Sequence, residues 1–142
     1  MMVLAAGALC LASIGQARSF AQEAAARKTV LDGVFTIDQA RRGQVAYNKS
    51  CSDCHQQDLS GGDRGPALAG DVFVKTWVSL TVGDLFDRIR TSMPMDSPGS
   101  LTPEATSDIV AFVLQSNDFP AGGAELRPDP AGLKGITITN RN

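Results

Sequence analysis

Five consecutive residues, Cys51-Ser52-Asp53-Cys54-His55, can do chemistry as a group. On a helical turn, positions 51, 54 and 55 project from one side. Two thiols at this spacing can add to the two vinyl groups of a haem and become thioethers. The adjacent imidazole then stands under the porphyrin, where it can ligate the iron. Three other chemistries use similar motifs. A structural zinc site needs four nitrogen or sulfur ligands, and only Cys51, Cys54 and His55 remain once Cys10 is assigned to a leader. A thioredoxin-like dithiol belongs in a βαβ setting, whereas the flanks here read as helix and loop. A disulfide closing so small a ring would stabilise little. The expected chemistry is covalent attachment of one haem c.

The iron would need a sixth partner or an open position. His55 is the single histidine, so a second imidazole from the same chain is excluded. The same count excludes the hydrolase and zinc chemistries that need two or three imidazoles. Of four methionines, Met1 and Met2 open the chain, and Met93 and Met95 sit in SMPMDSPGSL, residues 92–101. Neither of the latter pair lies on an amphipathic face, so a thioether from one of them is expected on the iron, and the pattern leaves both open. Pro94 between them fixes φ and stiffens the loop. Met/His ligation raises the reduction potential and leaves no vacancy for oxygen or peroxide. The expected protein is therefore not an enzyme, and no catalytic residue is assigned. A haem peroxidase or reductase would need an open sixth position and a distal acid–base group, and a gas-binding haem module would need the same vacancy.

The rest of the chain must hold these groups. Its 142 residues, 20% charged and 43% hydrophobic, suit one globular domain. A net charge of −2 offers no basic excess for nucleic acid. Val3 to Gly15 is uncharged, too short to span a bilayer, and reads as a signal-peptide core without a basic n-region. Ser19-Phe20-Ala21 is a small-x-small cleavage site, with Ala17 a second cut, so the expected location is the periplasm. Removing residues 1–21 takes away Arg18 and no acid, so the 13 basic side chains fall to 12 against 15 acidic, a net −3.

After a loose lead-in over 22–35, a helix is expected from Thr36, with Gly43 marking a close backbone approach. A Gly-rich loop spans Asp58 to Gly70, a short amphipathic piece lies around Phe73 to Trp77, and a helix covers Val82 to Arg90. A last helix starts at Thr102 as N-cap with Pro103 at its first position, carrying Ile109, Phe112 and Val113 on its apolar face. The domain is expected over 36–118. An extension over 119–142 would wrap it, with one short strand within 135–139. Three to four short helices and long Gly/Pro loops bury little area unless they enclose something. The expected class is all-α.

These residues resemble the class I c-type cytochromes. CSDCH, then Gly65-Pro66-Ala67-Leu68-Ala69-Gly70, then Met93-Pro94 followed by Leu101-Thr102-Pro103-Glu104 are similar to that family's three landmarks in order, over Thr36 to Asn117. The resemblance implies haem bound by Cys51, Cys54, His55, Pro66 and Met93, with His55 and Met93 on the iron. It favours Met93 over Met95, because the family's axial Met commonly precedes a Pro. It implies a Pro66 carbonyl bonded to the ring nitrogen of His55 that is not on the iron, and contact of Gly43 and Tyr47 with Phe112. Trp77 and Arg64 become candidates for a haem propionate, or else a packing residue and a solvated charge. The run TVGDLFDRIRTSMPMDSPGSL with NDFPAG is similar, more narrowly, to cytochrome domains serving bacterial quinoprotein dehydrogenases. That likeness implies transient redox partners, a dehydrogenase donor and an oxidase or cytochrome acceptor, or alternatively a place as a subunit of a dehydrogenase complex. Acidic charge implies that such partners present basic patches.

Overall fold

The computed structural model describes residues 28–140. The segment read as a leader lies outside the described residues, as does the start of the lead-in. Six α-helices occur among the described residues, α1 Ile37–Ser50, α2 Ser52–His55, α3 Asp71–Trp77, α4 Val82–Ser92, α5 Pro103–Ser116 and α6 Pro130–Lys134, with a single 3-10 turn over Val30–Asp32 before them. Two strands of two residues, β1 Lys28–Thr29 and β2 Ile136–Thr137, pair in parallel, Lys28 opposite Ile136 and Thr29 opposite Thr137. The all-α expectation holds.

Each long helix starts on a threonine for the same reason: a side-chain oxygen satisfies an N–H that the first turn leaves open. Thr36 Oγ1 accepts from the Gln39 N–H at 3.1 Å, and Thr102 Oγ1 accepts from Ala105 at 3.1 Å with Pro103 at the first position. At α4 the cap is reciprocal. Thr81 Oγ1 accepts from the Asp84 N–H at 3.1 Å, while Asp84 Oδ2 accepts from the Thr81 N–H at 2.8 Å. These bonds hold the Asp84 carboxyl below the usual range, the backbone bond first and the Thr81 hydroxyl second.

The central contact is α1 against α5. A Cβ on Gly43 would fall on the Asp108 carbonyl and lie 2.9 Å from Phe112 Cβ, so the two backbones touch there. One turn on, the Tyr47 and Phe112 rings pack with centroids 5.2 Å apart and planes at 55°, an arrangement that suits the ring quadrupoles. Arg42 closes the solvent side, bidentate on Asp108 at 3.0 and 3.1 Å and 3.0 Å from Glu125.

Helix α5 buries more than the expected face of Ile109, Phe112 and Val113. Thr106, Ser107, Val110, Ala111 and Leu114 are buried as well, as befits a helix covered on several sides. The segments on either side of the domain supply the extra cover. Phe119, Leu126, Leu133, Ile136 and Ile138 from the extension join the core, and so does Val30 from the lead-in. Residues 28–35 of the lead-in are therefore part of the fold, and the strand expected within 135–139 exists because β1 gives it a partner. Helix α6 has no forerunner in the sequence reading. Buried Gln39 acts as a piece of backbone: its amide donates to the Leu126 carbonyl at 2.9 Å and accepts from the Leu126 N–H at 2.8 Å.

Two outcomes follow for stability. Gly43→Ala drives a methyl into backbone that cannot rotate away, and urea unfolding of the variant is expected to show a loss of about 2–3 kcal/mol. Thr81→Ala is expected to cost about 1 kcal/mol at neutral pH. Because the folded carboxyl of Asp84 is depressed, its contribution is complete above the ordinary carboxylate range and is lost as pH falls through the folded value. The gap between wild type and variant in urea midpoint should therefore narrow in acid and stay constant above it.

Candidate functional site

Helix α1 runs almost directly into the motif. Cys51 caps α1 by donating its N–H to the Tyr47 carbonyl at 2.8 Å, and α2 winds on from it, with the Cys54 and His55 N–H groups returning to the Cys51 carbonyl at 3.2 and 3.0 Å. The thiols of Cys51 and Cys54 are free, half-buried, and carried by the same turn as His55. Burial, with a smaller contribution from Cys54, pushes the Cys51 thiol up to about 11. A reactive dithiol needs the opposite shift. Among the described residues no three His, Cys, Asp or Glu side chains converge as a metal site would require.

His55 is 8% exposed, and its orientation is set from behind. Its Nδ1 lies 2.8 Å from the Pro66 carbonyl oxygen. A carbonyl only accepts, so Nδ1 is the donor, and in the neutral tautomer this bond selects, Nε2 keeps its lone pair. The loop that delivers Pro66 is pressed onto the ring: a Cβ on Gly65 would stand 3.0 Å from His55 Nδ1 and Cε1. A side chain at that position would force the ring or the loop to give way.

The turn between motif and loop is fixed by groups the sequence reading did not identify. Gln56 has φ 64° and ψ 156°, a conformation that costs a non-glycine residue energy. Tyr47 stabilises it by donating its hydroxyl to the Gln56 carbonyl at 2.7 Å. Farther along, buried Asn117 ties the 58–70 loop to the end of α5. Its amide donates to the Leu68 carbonyl at 2.9 Å, and its oxygen accepts from the Gly70 N–H at 2.9 Å. Nothing in the sequence around Asn117 distinguishes it from an ordinary residue ending a helix. Tyr47 was legible only as a ring packed on Phe112.

Leu68, Ala69, Val74, Trp77, Ile89 and Leu101, drawn from four segments, pack on the core yet stay half-exposed. Met93 is the C-cap of α4, its N–H still bonded to the Ile89 carbonyl at 3.0 Å, and it is half-buried. Met95 is 75% exposed. Arg90 steadies their loop by donating to the Gly99 carbonyl at 2.8 Å. Trp77 packs on Phe73 with centroids 6.3 Å apart, and Arg64 is exposed and outside any ion pair among the described residues. An imidazole anchored through Nδ1 and two free thiols on the same turn fit a covalently held haem.

The family model described as cytochrome c oxidase, cbb3-type, subunit III matches residues 38–113, more than half of the chain. Among solved structures, the chain is similar to the sulfane dehydrogenase SoxCD from Paracoccus pantotrophus at 21% identity and a TM-score of 0.49. That match covers 91% of this chain and 66% of the other, so this chain spans just under two thirds of that relative. No curated protein matches significantly. The chain belongs to the family of that model, is a class I c-type cytochrome domain, and carries one covalently bound haem c.

Proposed function

We propose that the protein is a periplasmic one-electron carrier in which Cys51 and Cys54 hold the haem by thioethers and His55 and Met93 ligate its iron. Haem c supplies a reversible one-electron couple, and the chain's residues decide how that couple is used. Pro66 fixes the proton of His55 on Nδ1, so Nε2 is the ligating atom, and the carbonyl makes the imidazole a better donor. Tyr47 and Gly65 hold the ring's azimuth through the Gln56 turn and the loop backbone. Burial of the haem together with a sulfur ligand favours the less charged ferrous state. A filled sixth position leaves no site for substrate, which supports a carrier over an enzyme.

The observation that carries this reading is a buried His55 held through Nδ1 by the Pro66 carbonyl, and it is supported by a half-buried Met93 at the C-cap of α4. The exposure of Met95 argues for Met93. Acidic charge, net −3 without the leader, suits brief docking to partners with basic patches. Among the described residues no helix is long and apolar enough to cross a membrane. The likeness of residues 81–101 to quinoprotein-associated cytochromes makes a dehydrogenase the proposed donor, with an oxidase or another cytochrome as acceptor.

Met93→Ala is expected to abolish the near-infrared sulfur–iron band of the ferric holoprotein, with Met95→Ala leaving it intact. A band that survives both changes removes methionine from the iron. Oxidised holoprotein mixed with a quinoprotein alcohol dehydrogenase and its alcohol should become reduced during turnover, and this reduction should slow as salt is added. A cytochrome that stays oxidised while alcohol is consumed refutes the proposed donor.

A further inference from the structure

The C-terminal tail lies beyond the family-matched residues 38–113, yet it is built into the domain along α4. The backbone of Lys134 runs so close to Gly83 that a Cβ there would stand 2.8 Å from the Lys134 nitrogen. One turn along α4, Lys134 Nζ lies 3.5 Å from Asp87 Oδ2. Just before α4, the Ile138 N–H donates to the Leu80 carbonyl at 2.8 Å and the Ser79 N–H donates to the Ile138 carbonyl at 2.9 Å. Val82, Leu85 and Phe86 of α4 share one buried cluster with Leu133, Ile136 and Ile138 of the tail. All of these contacts grip the first half of the helix.

The other end of α4 carries Met93. The helix has 11 residues, and at about 1.5 Å rise per residue the gripped end and the methionine are roughly 16 Å apart. A hydrogen-bonded helix of this length moves as a unit, so a tilt allowed at its start displaces its end. An iron–thioether bond is weak, and its occupancy depends on how often the sulfur is carried away.

We propose that the C-terminal tail is a positioning device for Met93: packed on the start of α4, it holds the helix whose last turn presents the sulfur. The proposal rests on Met93 as the sixth ligand. Leu133 and Leu126 provide a matched pair, because both belong to the tail and are 3% and 4% exposed. Leu133 lies on α6 beside α4, whereas Leu126 is bonded to Gln39 of α1.

The test uses full-length holoprotein and two readouts, the near-infrared sulfur–iron band and the rate at which the ferrous form captures carbon monoxide. Leu133→Ala is expected to lose most of the band and to capture carbon monoxide about tenfold faster, since capture follows the open population. Leu133→Met should restore both, and Leu126→Ala should leave both near wild type. If Leu133→Ala does not give folded holoprotein, Gly83→Ala, which pushes Lys134 off α4, is judged by the same readouts. Equal behaviour of the two Leu→Ala variants, whether both keep the band or both lose it, overturns the proposal. A wild-type protein without the band, or Met93→Ala with it, overturns the Met93 assignment instead, so the two failures are distinguishable.

Discussion

The chain owns one imidazole, and the structure depends on that ring facing one way. Backbone does the aiming: a proline carbonyl takes one nitrogen, and a glycine lets the loop lie flat against the ring. The acceptor is a backbone carbonyl, which carries no ionisable group and has no rotamer of its own. The cost is a long loop of little regular structure, and a loop of that kind stays put only if tied elsewhere. Asn117 provides the tie by bonding both Leu68 and Gly70. The end of α5 and the position of the imidazole are thereby coupled, although they are remote in sequence.

The same economy governs α1. A single helix makes the backbone contact at Gly43, packs Tyr47 on Phe112, and ends in Cys51. The Tyr47 side chain serves twice, its ring in the core and its hydroxyl on the turn after His55. Packing and site geometry are consequently not separable here, because a change that shifts α1 on α5 also shifts the turn that bears both thiols.

Much of this was legible in the sequence because it depends on local chemistry. Thr36, Thr81 and Thr102 are capping residues by type, and Thr36 and Thr102 announce their helices. A costly glycine at 43 announces a close approach, and the motif announces itself. What escaped depends on partners distant in the chain. Gln39 looks like a surface residue on an amphipathic helix until Leu126 is known to lie beside it. Lys28 and Thr29 have no strand character by themselves and become a strand only because residues 136–137 run past them. Ala111 and Leu114 were off the expected apolar face of α5, since residues far outside the helix supply the cover.

The parallel pairing of β1 with β2 joins the first described element to the last, so the ladder forms only when Ile136 and Thr137 are available. A chain made from its N-terminus presents Cys51 and Cys54 some eighty residues earlier. During that interval the domain lacks its clasp, and two sulfurs that finish half-buried sit on an unfinished fold. Closure of the ends is thus a late event, because the turn that bears both thiols precedes the segment that wraps the fold.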